Sequence, residues 1–236
     1  MEYNQLMKGF AAACALILLT VSGAQALNAA KDQDANGPEY DSVLLVSRGK
    51  EGDCSGALIH PAIVLTAAHC RARVAVESVF FGQGKAQHLG VRALGGGSHP
   101  SFDPGKAGLG ATIDEPGMQA QDIGFVVLEQ PILGAPIYPV ATQEDVAAHG
   151  RPGAFIHAVG YGGNRLGIRN ALDLEILRLS GNPHRFIASA GVMDGDSGGP
   201  GFLRLEGQGF KILAVASSIK PSFGRFSRET SHYAFV

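Results

Sequence analysis

A serine, a histidine and an aspartate in this chain sit in contexts that suit acyl transfer. The serine is Ser197, inside Gly195-Asp196-Ser197-Gly198-Gly199-Pro200. Glycines on both sides let the backbone approach a substrate and adopt φ values closed to other residues. Such a turn can carry Oγ to a carbonyl while neighbouring N–H groups point at the developing oxyanion. His69 ends the apolar run of Leu65-Thr66-Ala67-Ala68-His69-Cys70. An imidazole titrates near neutral pH and suits general base catalysis. Asp122 heads the strand-like Asp122-Ile123-Gly124-Phe125-Val126-Val127-Leu128. If buried it needs a partner, and accepting from His69 Nδ1–H would fix the ring's tautomer. Each residue alone has an ordinary reading, as a glycine turn, a solvated imidazole or a strand-initiating turn residue. Glycine is common here, at 33 of 236 residues, so only the combination argues for chemistry.

The elements that must position these groups read as short strands. Apolar and β-branched runs at Val43–Val46, Ser55–Ile59, Ile63–Thr66, Val74–Phe81, Ile123–Leu128, Phe155–Val159, Phe186–Ser189, Phe202–Leu205 and Ile212–Ser217 alternate with Gly and Pro breaks. That pattern indicates an all-β sandwich or barrel. Helical periodicity is scarce; Gln143–His149 fits one short helix capped by Thr142. Residues 104–120 are Pro/Gly-rich and read as a long surface loop, and 163–173 as a second loop. No internal repeat is detectable.

Composition narrows the partners. Net charge is -2, with no basic stripe, which argues against nucleic acid. Residues 1–26 read as a secretory signal peptide, with Lys8, an apolar run from Phe10 to Val21, and Ala24-Gln25-Ala26 at the cleavage site. The run is too short to span a bilayer well, so no membrane anchor is expected after cleavage. The polar segment 27–42 reads as a loose N-terminal arm or propeptide. Cleavage would remove Cys14 and leave Cys54 and Cys70, which in an oxidising compartment read as a disulfide. Closing a loop of that size stabilises by roughly 3 kcal/mol in the chain-entropy model. The expected location is outside the cytoplasm, secreted or periplasmic.

Taken together, these segments resemble the trypsin/chymotrypsin-like serine proteases. The likeness rests on Cys54-Ser55-Gly56-Ala57-Leu58-Ile59, Leu65 to Cys70, His99-Pro100-Ser101-Phe102, Asp122 to Leu128, Gly160-Tyr161-Gly162, Gly195 to Pro200 and Ser217-Ser218. The resemblance implies two six-stranded antiparallel β-barrels, about 43–135 and 136–236, with the active site in the cleft between them. It implies a secreted endopeptidase acting on polypeptides as a monomer without a cofactor. Ser197 would be the nucleophile, His69 the general base, Asp122 its orienting carboxylate, and the amides of Gly195 and Ser197 the oxyanion hole. The rival is the nucleophile elbow of α/β-hydrolases, which Gly195-x-Ser197-x-Gly199 also satisfies. That fold needs an acid and then a histidine after the serine, and no aspartate follows Ser197. A non-catalytic, protease-like binding protein with an unformed oxyanion hole is the other reading, and an esterase on the same fold a third.

The chain departs from the family in several places. The base of the specificity pocket, six residues before the nucleophile, is Gly191 rather than an acid. With Val192, Ser218 and Ile219 nearby, and Ser217 on the segment that pairs with an extended substrate, the pocket reads as uncharged and suited to a small or apolar residue. Family members bury a new N-terminal amine against the aspartate before the nucleophile, here Asp196, yet no activation sequence is present. Leu27, freed by signal cleavage, is one candidate donor; the alternatives are another donor for Asp196 or a poorly formed oxyanion hole. The sequence stops at Val236, where the family usually continues into a C-terminal helix, and reads as either a shorter variant or a truncated sequence. Its other histidines lack zinc-ligand spacing, and only Glu77 answers to the family's acidic calcium loop. No metal is expected. A single disulfide and a simple signal peptide suit a bacterial source.

Overall fold

The computed structural model describes residues 35–72, 75–82, 89–103, 121–163, 167–180, 184–207, 209–220 and 230–236. Twelve strands form two closed antiparallel barrels. The first contains β1 (Val43–Ser47), β2 (Asp53–His60), β3 (Ile63–Thr66), β4 (Ser78–Phe81), β5 (Leu89–Ser98) and β6 (Gly124–Leu128). The second contains β7 (Phe155–Gly160), β8 (Asn170–Leu179), β9 (Arg185–Ala188), β10 (Pro200–Leu205), β11 (Gly209–Lys220) and β12 (Thr230–Phe235). Around the rings the orders are 1-2-3-6-5-4 and 7-8-9-12-11-10, the same topology twice. Closure leaves neither barrel an open edge.

The strand sequences follow from what covers them. In β1 the run Val43-Leu44-Leu45-Val46 is buried throughout. Leu44 and Val46 fill the first barrel, while Val43 and Leu45 face a cluster that Val159, Phe202, Ile212 and Val215 complete from the second. A strand covered on both faces reads as a continuous apolar run rather than an alternation. In β11, Leu213 and Ala216 fill the second barrel while Ile212 and Val215 join the shared cluster. This shared apolar layer holds the barrels against each other.

Among the described residues, two short α-helices interrupt the strands. Gln143–His149 forms α2, capped as expected: Thr142 Oγ1 accepts from the Asp145 amide, and the Asp145 carboxylate accepts from the Thr142 amide. This reciprocal pairing satisfies two otherwise orphaned donors. The other helix, α1, is one turn at His69–Ala72. No helix among the described residues is long and apolar enough to cross a membrane.

Several segments differ from the sequence-based expectation. Residues 170–173 are not loop but the start of β8, which pairs with β7 from Gly160↔Asn170 onward. Alternating apolar and charged residues hide that strand beside the Gly-rich stretch before it. The described part of the N-terminal segment, 35–42, is packed rather than loose. Tyr40 is buried, its hydroxyl within 3.0 Å of His157 Nε2, and Arg169 Nε donates to the Ala35 carbonyl at 2.8 Å. Strand β5 went unrecognised because Gly95-Gly96-Gly97 lacks side chains. A Cβ on Gly96 would collide with the Phe125 carbonyl of β6, so glycine is what allows the close approach. The signal peptide reading and the loop 104–120 lie outside the described residues.

Candidate active site

His69 leads α1, directly after β3, and is clamped there from two sides. Cys70 is bridged to Cys54 of β2, with the sulfurs bonded and the Cα atoms 6.2 Å apart. The His69 amide donates to Asp122 Oδ1 at 2.9 Å, and its Nδ1 donates to Oδ2 at 2.7 Å. One carboxylate therefore fixes both the backbone and the ring, leaving Nε2 as the free base position.

Asp122 precedes β6 and is fully buried. Burial alone would push its carboxyl up. The charge of His69 and hydrogen bonds from His69 and Ser217 outweigh that, and its pKa lies below the ordinary value. Ser217 Oγ supplies a third bond, donating to Oδ2 at 2.6 Å. The pairing of β11 with β12 steps from Ala216↔Tyr233 to Ser218↔His232, so Ser217 is the extra residue of a bulge. A bulge re-aims a side chain, and here it turns Ser217 onto Asp122.

Ser197 lies in a turn tied to both barrels. Its carbonyl accepts from the Ser55 amide of β2 at 2.8 Å and lies 3.5 Å from Cys70 Sγ. The amide of Gly198 donates to Ala216 of β11 at 2.7 Å. Gly198 has φ +82°, and a Cβ there would strike Thr66 Oγ1 and the Ser55 carbonyl. The Asp196 amide donates to the Met193 carbonyl, closing a four-residue turn with Gly195 third at φ +99°. A positive φ at that position favours glycine. Among the described residues, the amides of Gly195 and Ser197 donate to no backbone carbonyl, whereas those of Asp196, Gly198 and Gly199 do. No hydrogen bond joins Ser197 Oγ to His69 Nε2, which lies 3.7 Å from Cys70 Sγ. In unliganded enzymes such a bond is often long and tightens with substrate.

Asp196 is buried under this turn, 2% exposed. Its carboxylate accepts from the Gly162 amide at 2.7 Å and the Met193 amide at 2.9 Å. Burial dominates its titration and pushes the pKa up to about 6, against the pull of those two amides. No cation lies on it among the described residues. The candidate donor Leu27 lies outside them.

Of the residues expected to line the specificity pocket, Gly191 and Val192 sit among apolar side chains. Gly191 is buried, and a Cβ would meet Leu172 and Leu174 at 2.7 Å. Val192 belongs to the second barrel's core, its amide donating to Ser231 Oγ at 3.1 Å. Ser218 and Ile219 lie on β11 opposite His232 and Ser231 of β12.

Ser55 escaped the sequence reading. Its Oγ donates to the Gly195 carbonyl at 2.8 Å and accepts from the Tyr161 amide at 3.0 Å, so one hydroxyl of the first barrel braces the turn around Ser197. Only proximity across 140 residues shows it. A second imidazole–carboxylate pair, His157 Nδ1 to Asp173 at 2.6 Å, has no such setting. There Nε2 already accepts from Arg204 Nη2 at 2.9 Å, so no free base position remains. Cys54, His69 and Cys70 bring their ligand atoms within 4.8 Å of one another, but the disulfide consumes both thiols.

Two closed six-stranded barrels with an imidazole–carboxylate pair and a glycine-bounded serine at their junction define the chymotrypsin-like class. The family model for trypsin matches residues 31–223, and the chain belongs to that family of serine-type peptidases. No curated protein matches the chain.

Proposed function

We propose that the protein is a secreted endopeptidase that cleaves peptide bonds through Ser197, His69 and Asp122. The observation that carries this reading is the double hold of Asp122 on His69, which fixes the ring with Nε2 left as base. Ser197 Oγ attacks the scissile carbonyl and passes its proton to His69 Nε2. The oxyanion is met by the Gly195 and Ser197 amides, which no backbone carbonyl of the turn occupies. His69 returns the proton to the leaving amine. Water then attacks the acyl-enzyme as His69 accepts its proton, and His69 passes that proton to Ser197 Oγ as the carboxylic acid product leaves. Asp122 stays ionised throughout and stabilises the imidazolium.

The surroundings of Gly191 support a small or apolar residue on the acyl side of the cut. The disulfide Cys54–Cys70 supports an oxidising location. Labelling of the secreted protein with an organophosphonate probe tests the reading. Wild type should label, and Ser197→Ala should lose both labelling and at least about 10⁴-fold in kcat/KM on peptides. Equal labelling of the two, or none of wild type, rejects it; the latter outcome would favour a binding protein.

A further inference from the structure

Behind Asp122 stands a buried arginine. Arg185 opens β9 and is 1% exposed. Its Nη2 donates to Ser217 Oγ at 2.6 Å, and Ser217 Oγ donates to Asp122 Oδ2 at 2.6 Å. The proton accounting allows one direction. A guanidinium only donates, so the Ser217 oxygen accepts from it and spends its single hydrogen on the carboxylate. A file of four groups thus runs from Arg185 through Ser217 and Asp122 to His69. It crosses from β9 to the bulge of β11 and on to α1.

Burying a guanidinium is costly unless a charge answers it. The rest of β9 is Phe186-Ile187-Ala188, all apolar and buried, and an apolar residue at 185 would avoid that cost. Burial pushes the Arg185 guanidinium down from its ordinary value, and the Asp122 charge pushes it back up. The two charges therefore act on each other across the Ser217 hydroxyl. Hydrogen bonds in such chains polarise one another, which makes Ser217 a stronger donor to Asp122.

We propose that Arg185 is a positioning residue for the hydrolysis: through Ser217 it holds Asp122 aimed at His69 Nδ1 and offsets part of its negative charge. This rests on the triad reading above. His232 of β12, the strand that pairs with both β9 and β11, is buried with its Nε2 3.0 Å from Thr230 Oγ1. Arg71 of α1 donates to Ser98 Oγ of β5, His99 just past β5 pairs with Ser101, and Asp194 and Asp196 belong to the turn around Ser197.

The test is the pH profile of kcat/KM for wild type, Arg185→Met and Arg185→Lys, from about pH 5 to about 9, once Ser197-dependent labelling of wild type is shown. In Arg185→Met the acid limb should move up by about one pH unit, because an uncompensated Asp122 favours the imidazolium. Its plateau should fall about tenfold through kcat rather than KM, as Asp122 loses its aim. Arg185→Lys keeps the charge without the planar fork, so its acid limb should stay near wild type while its plateau falls. A folded Arg185→Met with the wild-type limb and plateau overturns the inference and leaves the triad reading standing. Absence of wild-type labelling overturns both. If Arg185→Met does not fold, Arg185→Lys decides through the low-field NMR signal of the His69 Nδ1 proton. That signal should shift, and an unmoved resonance with an unchanged plateau overturns the inference.

Discussion

Asp122 and Asp196 are both buried, one against His69 and one beside Ser197, and the protein treats them in opposite ways. Asp122 meets an imidazole, a hydroxyl with a guanidinium behind it, and one backbone amide. Its pKa lies below the usual carboxylate value. Asp196 meets two backbone amides and is pushed up to about 6. Burial weighs on both; what differs is the charge available to answer it. The first aspartate is settled as an anion by its neighbours. The second is held by geometry alone, and its charged form is the strained one. The lesson is that burial by itself does not decide a carboxylate's state, and that the turn around Ser197 rests on the weaker of the two arrangements.

The largest expected effect removes the charge at the settled site. In Asp122→Asn the amide cannot accept as an anion from His69 Nδ1, the Ser217 hydroxyl and the His69 amide together. The ring should adopt the wrong tautomer, and kcat should fall about 10⁴-fold, about 5 kcal/mol of transition-state stabilisation. Peptide hydrolysis by a variant with wild-type circular dichroism checks this. A loss under about tenfold would break the contrast, because Asp122 would then be no more consequential than a packing residue.

The next effect lies in stability at the unsettled site. An acid whose folded pKa is raised adds stability that is complete below its unfolded value near 4 and is lost as pH rises through about 6. Over that window the loss attributable to Asp196 is about 3 kcal/mol, from a shift of about two units. Asp196→Asn cannot titrate. The wild-type advantage over it in urea unfolding should therefore shrink by about that amount from pH 4 to pH 7. An advantage that grows with pH would mean that a cation sits on Asp196, as the Leu27 expectation requires. N-terminal sequencing would then ask whether Leu27 is the first residue.

How much of this was legible beforehand depends on distance along the chain. His69, Asp122 and Ser197 could be picked out because each lies in a short run whose local types limit its role. The all-β class was legible in the strand runs, since Val43–Val46 and Ile212–Val215 are apolar for a local reason, burial on two faces, while the division into two barrels came only from the family resemblance. Strand β5 was not, because Gly95-Gly96-Gly97 is shaped by the approach of β6 rather than by its own propensity. Arg185 and Ser55 were invisible for a related reason. Arg185 acquires its meaning from Ser217, 32 residues later, and only because a one-residue bulge turns that hydroxyl inward. Nothing in the local sequence of β9 separates a buried arginine from a solvated one.

The smallest effect probes what the turn over Asp196 uses in place of charge. Ser55 Oγ reaches across from β2 to the Gly195 carbonyl and takes the Tyr161 amide, next to the Gly162 amide that holds Asp196. Thr66 Oγ1 in turn donates to the Ser55 carbonyl at 2.7 Å. If these neutral bonds hold the Gly195 amide in place, Ser55→Ala should lower kcat by about tenfold with KM little changed. Leaving the buried Tyr161 amide without an acceptor should lower stability by about 1–3 kcal/mol. The two losses have separate causes, so Ser55→Thr, which keeps the hydroxyl, should recover both where the extra methyl fits. Full activity in Ser55→Ala would instead assign the turn's order to Asp196, and the neutral brace would be structural only.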